Sequence, residues 1–293
     1  MNFSVKSSTV THRGCNLAYD IQGQGERVLF IQGTGIHGAG WRPQTDALGA
    51  NYECLWFDNR GMSRSQPRGA AITIGQLAED ARAVLGAAGW ESAHVVGHSL
   101  GGAIALELAL QTPERVKSLS LLCTFTRGSD ATKLTLPTIL AGIRTRIGTR
   151  VQRRRAFLEM IMTPAEMAAV DVDRVAIEYE SLFGHDLADS PSIVIPQLSA
   201  LRAYDATPRL SEIANIPTMI VTAAMDRLST LAVGRQMSKD MPNARYHELR
   251  DTAHGVPIVK PELINALLRE HFEHVGYFFP TTTTVNDPGI TGA

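Results

Sequence analysis

The 293-residue chain has few cysteines, few aromatic residues and almost no net charge. Its three cysteines, Cys15, Cys54 and Cys123, are widely separated and form no C-x-x-C pair, so neither a disulfide framework nor a zinc site is expected. Lys and Arg total 28 against 29 Asp and Glu, which gives a net charge of −1. This balance provides no global electrostatic reason to expect nucleic acid or an anionic membrane as a partner.

Long hydrophobic segments are also lacking. No apolar run approaches the roughly 20 residues that a membrane-spanning helix needs. The first ten residues, MNFSVKSSTV, do not combine a basic start with an apolar stretch as a signal peptide does. We therefore expect a cytoplasmic protein without a membrane partner. Its apolar fraction of 44% is ordinary for a globular chain with a sizeable core.

Short apolar segments alternate with helical patterns in two parts of the chain. Strands are predicted for the ranges 17–21, 28–32, 52–57, 93–97, 116–123, 217–223 and 245–249, and helices for 73–88, 100–111, 230–241 and 261–274. The spacing of Thr73 and Gln76 at the first helix is that of a capping box. Strands separated by helices favour a parallel sheet with right-handed crossovers. We therefore predict an α/β fold with a mostly parallel central sheet flanked by helices.

The strand pattern is interrupted between residues 124 and 213, where the sequence is helix-prone and contains five prolines. An all-helical insertion in a β/α series is typical of a lid over the sheet, and its apolar residues suit an apolar substrate wall. The predicted organisation is a sheet core of residues 1–123 and 214–275, a helical lid of 124–213 and a C-terminal tail of 276–293. A flexible tail is expected, although the aromatic residues 277–279 favour packing of its first part.

The segment Gly97-His98-Ser99-Leu100-Gly101 fits the pattern G-x-S-x-G and lies between a predicted strand and a predicted helix. The bare pattern also fits a tight turn without chemistry, but the flanking strand and helix favour a nucleophilic serine. A serine on so sharp a turn needs small neighbours, and the turn projects its hydroxyl clear of the backbone. The Leu100 amide then lies at a helix N-terminus, where an unpaired N–H can bind an oxyanion.

A serine hydroxyl needs a base to become a good nucleophile. Of the nine histidines, His254 is best placed, because it follows the last predicted strand, and ligand groups gather at the carboxyl ends of parallel strands. His98, beside the serine, is expected to point elsewhere. Asp226 directly follows the strand 217–223 and is expected to orient the imidazole. Asp226 could instead cap the next helix, and Asp130, after the preceding strand, is the rival acid.

The second oxyanion donor is expected in the glycine-rich segment 32–41, which follows a predicted strand. Glycines let a backbone approach a substrate closely, and we assign the donor to the Thr34 amide. A glycine-rich turn could instead cradle a phosphate, but the segment has neither G-x-x-x-x-G-K-[ST] nor a clean G-x-G-x-x-G. No metal or organic cofactor is expected.

Over roughly residues 15–275 the chain resembles the α/β-hydrolases, in particular the lidded esterases and enol-lactonases. Besides the serine turn, segment 57–65 resembles the family's D-x-R-G-x-G-x-S turn, and segment 210–226 resembles its lid exit and acid strand. The order Ser, Asp, His is also the one this family uses. Two positions depart from the pattern, because Gln32 stands where the family commonly has histidine and Ser63 replaces the second glycine of the turn.

The residues and the resemblance together predict a serine hydrolase that cleaves a carboxylic ester of a small, largely apolar substrate through an acyl-enzyme. Small-molecule esters or lactones are the expected partners. Two alternatives keep the same residues, namely an enol-lactonase and a carbon–carbon bond hydrolase acting on a β-diketone-like compound. A third is a lidded ligand-binding receptor with little turnover. Ser99 disfavours the dehalogenase and epoxide hydrolase branches, which resemble this fold but use an aspartate.

Overall fold

A nine-stranded sheet organises the residues that the computed structural model describes, namely 3–69, 71–132, 135–275 and 282–285. Its strands are β1 (Lys6–His12), β2 (Cys15–Gly23), β3 (Glu26–Ile31), β4 (Tyr52–Phe57), β5 (Ala93–His98), β6 (Val116–Leu122), β7 (Thr218–Ala223), β8 (Arg245–Leu249) and β9 (Thr282–Val285). In space they follow the order β1-β2-β4-β3-β5-β6-β7-β8-β9. The pairs from β4 to β9 are parallel, whereas β1 with β2 and β2 with β4 are antiparallel. The predicted mostly parallel α/β sheet is therefore confirmed.

Helices follow most of the strands along the described chain. They are α1 (Arg42–Leu48), α2 (Ile74–Ala87), α3 (Leu100–Gln111), α4 (Leu136–Arg144), α5 (Arg150–Ile161), α6 (Pro164–Ala169), α7 (Val172–Phe183), α8 (Val194–Arg202), α9 (Leu231–Asp240), α10 (Val256–Val259) and α11 (Pro261–Glu273). Thr73 caps α2 by accepting from the Gln76 backbone N–H at 3.0 Å. The reciprocal half of the expected capping box is absent within the described residues, because Gln76 Oε1 instead accepts from Arg13 Nη1 at 3.1 Å.

The sheet separates two hydrophobic clusters. All six residues of β5 are buried, as expected for a parallel strand covered on both faces. Its neighbouring residues Val95 and Val96 belong to different clusters, because successive side chains of a strand point to opposite faces. Val95 lies in the cluster formed with α2 and α3, and Val96 in the cluster formed with α1 and α11.

The two edge strands were not among the predicted elements. β1 is almost wholly polar and mostly exposed, so it lacks the apolar run by which a buried strand is found in a sequence. β9 lies in the predicted tail of residues 276–293 and pairs in parallel with β8. Residues 276–281 and 286–293, including the aromatic residues 277–279, lie outside the described part of the chain.

Between β6 and β7, residues 124–213 form what we call the helical insertion, which contains α4 to α8. None of its described residues extends the sheet, and its β-type pairing there is an isolated bridge between Arg127 and Asp205. A third hydrophobic cluster joins α5 and α7 through residues such as Leu158 and Phe183. Ile258 of α10 packs against this cluster. The insertion is therefore in contact with the rest of the described chain, outside residues 124–213, which we call the sheet-bound part.

Three histidines, His94, His247 and His271, are buried, and His271 lies close enough to the other two to interact with them electrostatically. His94 is hydrogen bonded to Ser118 Oγ and Glu26 Oε2, each at 2.8 Å. Burial lowers the pKa of His94 and His247 and lowers the pKa of His271 to about 3. Folding therefore favours their neutral forms, and protonation favours the unfolded chain.

This arrangement predicts acid sensitivity with a definite sign. A histidine whose folded pKa is lowered contributes full stability above its unfolded pKa of about 6.5, and this contribution is lost as the pH falls towards the folded value. For His271 we expect the free energy of unfolding, measured with urea, to fall by about 2 kcal/mol between pH 7 and pH 5. His271→Gln should lose that part of the pH dependence, whereas His274→Gln, an exposed control at the end of α11, should retain it. Equal pH dependence in both variants would contradict the assignment.

Candidate active site

Ser99 lies at the sharp turn between β5 and α3, with φ 54° and ψ −122°. This conformation is unusual for a residue with a side chain and requires support from its surroundings. The adjoining glycines provide that support, since a Cβ atom on Gly97 would lie 2.2 Å from the Gly101 carbonyl oxygen. A Cβ atom on Gly101 would lie 2.0 Å from the carbonyl oxygen of Ile31. The turn is therefore closed only because both residues lack side chains.

His254 lies after β8 and is hydrogen bonded through Nδ1 to Asp226 Oδ2 at 2.7 Å. The second oxygen of Asp226 accepts from the backbone N–H groups of Leu228 and Ser229 at 2.7 and 3.0 Å. Because a carboxylate only accepts, Nδ1 carries a proton, and Nε2 is the ring atom left to act as a base. The rival acid Asp130 lies in the 3-10 turn Gly128–Thr132, and the acid that contacts the His254 ring is Asp226.

His98 differs from the sequence-based expectation. Instead of pointing elsewhere, it lines the same cavity as Ser99, and its Nε2 lies 2.9 Å from the His254 carbonyl oxygen. The centres of the two imidazole rings are 4.8 Å apart. Burial lowers the pKa of His98 to about 3, so the ring stays neutral and donates its Nε2–H to that carbonyl. His98 holds the backbone of His254, a role that the variable position of G-x-S-x-G does not indicate.

Thr34 and Leu100, the assigned oxyanion donors, carry backbone N–H groups that donate to no other described residue. Leu100 is the first residue of α3, where N–H groups have no partner within the helix. Thr34 lies in the loop after β3, and a Cβ atom on the preceding Gly33 would be only 3.3 Å from Ser99 Cβ. The loop therefore runs directly against the serine turn.

Gln32, which departs from the family pattern, braces this loop. Its Oε1 accepts from the Gly33 N–H at 2.8 Å, and its own backbone carbonyl accepts from Asn59 Nδ2 at 2.9 Å. Asn59 belongs to the segment that resembles the D-x-R-G turn. In that turn Ser63 has φ 42°, so a residue with a side chain occupies the left-handed region that the family's glycine would adopt without strain.

A cavity of about 650 Å³ contains Ser99, His254 and Thr34 in its wall. Most of the remaining wall is apolar and comes from the helical insertion, including Phe157, Met160, Ile161, Phe183, Leu187, Val194, Leu198 and Leu201. Among the described residues no hydrogen bond joins Ser99 to the His254 ring, and such catalytic contacts are often long in unliganded sites. The cavity therefore brings Ser99, His254 and Thr34, three of the residues predicted to act in the reaction, to one largely apolar space.

The described residues contain neither a cluster of metal-ligating side chains nor a membrane-spanning helix. Within residues 3–69, 71–132, 135–275 and 282–285, no three His, Cys, Asp or Glu side chains are grouped so that they could hold a metal ion. In the same part of the chain, no helix has the length and apolar character needed to cross a bilayer.

Similarity to known proteins shows the family to which the chain belongs. The family model of the alpha/beta hydrolase fold matches residues 26–261, and the chain belongs to that family. RutD from Azorhizobium caulinodans, a protein named as a carbamate hydrolase, is 29% identical, with 86% of this chain and 93% of RutD covered. BpoC from Mycobacterium tuberculosis, named as a non-heme bromoperoxidase, is also 29% identical, with 89% of this chain and 98% of BpoC covered.

The fold is also shared with solved structures of enzymes. The enol-lactonase from Burkholderia xenovorans LB400 superimposes with a TM-score of 0.75. The comparison covers 91% of this chain and the whole of the lactonase, at 22% sequence identity. The chain thus has the fold of the α/β-hydrolases that its sequence resembles.

The serine turn generates a steric prediction. Gly101→Ala should destabilise the protein by more than about 3 kcal/mol, because the added methyl group would collide with the backbone of β3 and its following loop. Gly86→Ala in α2 is the matched control, since its methyl group would meet nothing within 4 Å. It should be neutral or stabilising by up to about 1 kcal/mol. Thermal unfolding of both variants measures the difference, and a tolerated Gly101→Ala would show that the turn is not closed as described.

Proposed function

We propose that this α/β-hydrolase is a serine hydrolase that cleaves carboxylic esters, with Ser99 as nucleophile, His254 as base and Asp226 as the acid that orients it. The observation that carries the proposal is the 2.7 Å contact between His254 Nδ1 and Asp226, in a cavity that also contains Ser99 on its glycine-lined turn. The Thr34 and Leu100 amides are proposed as the oxyanion donors.

The proposed reaction has two acyl-transfer steps. Ser99 Oγ attacks the ester carbonyl carbon while its proton passes to His254 Nε2, and the carbonyl oxygen becomes an oxyanion that the two amides bind. Collapse of this intermediate breaks the bond to the alcohol, which leaves with the proton from His254. Water then attacks the acyl-enzyme by the same route and restores the Ser99 hydroxyl. Asp226 keeps the His254 proton on Nδ1 and stabilises the imidazolium.

The cavity supports an apolar acyl or alcohol group as the bound part of the substrate. Its volume of about 650 Å³ lies within the usual range for sites that bind drug-sized ligands. We propose that the helical insertion acts as a lid, because it provides most of the apolar wall. Excluding water from the cavity would strengthen the interaction between the oxyanion and its two donors.

The same residues would act on other acyl compounds. A lactone presents the same carbonyl in a ring, and a carbamate presents it between an oxygen and a nitrogen. RutD, at 29% identity, is named as a carbamate hydrolase, so carbamates are the second candidate class. Initial rates on a matched ester, lactone and carbamate with the same acyl size would separate these classes, and we expect the ester to react fastest.

The nucleophile assignment is tested by covalent labelling. A fluorophosphonate should add one label to the wild-type protein, on Ser99, as located by mass spectrometry. Ser99→Ala should abolish the label and lower ester turnover by a factor on the order of 10⁶, while Ser199→Ala, an exposed serine of α8, should change neither. Labelling that persists in Ser99→Ala would contradict the assignment.

The acid assignment is tested by a pair of amide substitutions. Asp226→Asn should preserve the melting temperature to within a few degrees yet lower turnover by roughly 10⁴, because an amide favours the wrong imidazole tautomer. Asp130→Asn is the matched control and should retain most of the activity. If Asp130→Asn is the crippling change and Asp226→Asn is active, the acid has been misassigned.

A further inference from the structure

The peptide unit that carries the Thr34 N–H is held from two sides. On its N-terminal side the Gln32–Gly33 peptide is fixed, because its carbonyl accepts from Asn59 and its N–H donates to Gln32 Oε1. Both partners belong to the sheet-bound part of the chain. The peptide unit after Thr34 has no such partner among the described residues outside the insertion, and its hydrogen bond comes from Gln197 of the helical insertion.

Two side chains of the insertion grip Gly35. The Gly35 N–H donates to Gln197 Oε1 of α8 at 2.9 Å, and the Gly35 carbonyl oxygen lies 2.9 Å from His185 Nε2. Gln197 is completely buried, so its acceptor is not shared with bulk water. Gly35 has φ 70°, and a Cβ atom there would lie 2.8 Å from Val194 of α8. Gly35 has no side chain to restrict its backbone, and its N–H and its carbonyl oxygen are both held by contacts with the insertion.

His185 is placed within the insertion by its chain neighbour Asp186. Because a neutral imidazole donates from one nitrogen only, the tautomer that holds Gly35 is the one protonated at Nε2. The Asp186 side chain is bound by Arg150 and Arg154 of α5, and these arginine contacts hold the pKa of Asp186 well below its usual range. A continuous set of contacts therefore runs from α5 through Asp186 and His185 to the backbone beside Thr34.

We propose that Gln197 and His185 are positioning residues that hold the Thr34 amide in its oxyanion-binding orientation. This inference rests on the proposed function and extends it, because it gives the insertion a part in the chemical step as well as in substrate selection. The orientation of the Gly33–Thr34 peptide depends on the two peptides beside it. The insertion controls one of them, so opening or loosening the insertion would misplace an oxyanion donor.

The test uses Gln197→Met, which keeps the side-chain length but removes the amide acceptor. Gln197→Met should lower kcat for an ester by about tenfold to a hundredfold, less than or equal to the loss of a whole oxyanion donor. KM should change by less than about threefold, because the contact acts on the transition state and not on the bound ester.

A transition-state-like ligand separates positioning from general structural damage. An aryl trifluoromethyl ketone forms a hemiketal with the serine and places an oxyanion between the two amides, so its Ki should rise by the same factor as kcat falls in Gln197→Met. Hydrogen exchange of the peptide spanning residues 32–38 should also accelerate at the Gly35 amide. Ile195→Ala, an exposed position on α8, is the control and should leave all of these values unchanged.

His185→Phe provides an independent variant that keeps a ring but removes the donor to Gly35, and it should show the same rise in Ki relative to KM. Unchanged kcat and Ki in Gln197→Met and His185→Phe would overturn the inference. So would a parallel change in KM, kcat and Ki, which would indicate only a damaged cavity wall. A wild-type protein that neither labels at Ser99 nor hydrolyses esters would contradict the proposed function instead, which keeps the two failures distinct.

Discussion

The close approach of α3 to the end of β3 is the constraint on which the rest of the site depends. A methyl group on Gly101 would lie 2.0 Å from the Ile31 carbonyl oxygen and 2.8 Å from that of Gln32, so backbone meets backbone at this crossing. The approach brings the first turn of the helix, with the Leu100 N–H, beside the loop that carries the Thr34 N–H. It also forces Ser99 into a conformation that a relaxed chain would not adopt. Sheet packing thus brings the Leu100 amide and the loop of Thr34 together, and the contacts of the insertion with Gly35 then orient the Thr34 amide in the arrangement that we propose.

The positions of the candidate site residues along the sheet are signalled by local sequence pattern. Ser99 is marked by small residues between a strand and a helix, and Asp226 and His254 each follow a strand of a parallel sheet. Because the carboxyl ends of parallel strands share one edge, residues after β7 and β8 were expected to meet, and the structure brings them to 2.7 Å. The mostly parallel sheet follows from the same alternation of apolar runs and amphipathic helices.

Features that depend on long-range contacts were not predictable in this way. His98 is hydrogen bonded to the His254 carbonyl, 156 residues away in the sequence. Gln197 is hydrogen bonded to Gly35, 162 residues away. Hydrophobic periodicity predicts local structure and does not predict contacts between residues so far apart. The polar strand β1 and the threonine-rich strand β9 are the two edge strands of the sheet. Their sequences lack the apolar run by which a buried strand is recognised. The direction of the His98 side chain is set by the backbone geometry of the turn. The residue types in the sequence do not show that geometry, so the sequence does not predict the contact of His98 with His254.

The central claim is that the serine turn and the loop after β3 together form an oxyanion site around an acylated Ser99. A crystal structure of the protein inactivated by a small alkyl fluorophosphonate tests it most directly. We expect phosphorus on Ser99 Oγ and the phosphonyl oxygen within about 3 Å of both the Thr34 and the Leu100 backbone nitrogens, with His254 Nε2 facing the serine oxygen and the alkyl group in the apolar cavity. Phosphorus on another residue, or a phosphonyl oxygen directed away from these two amides, would contradict the claim.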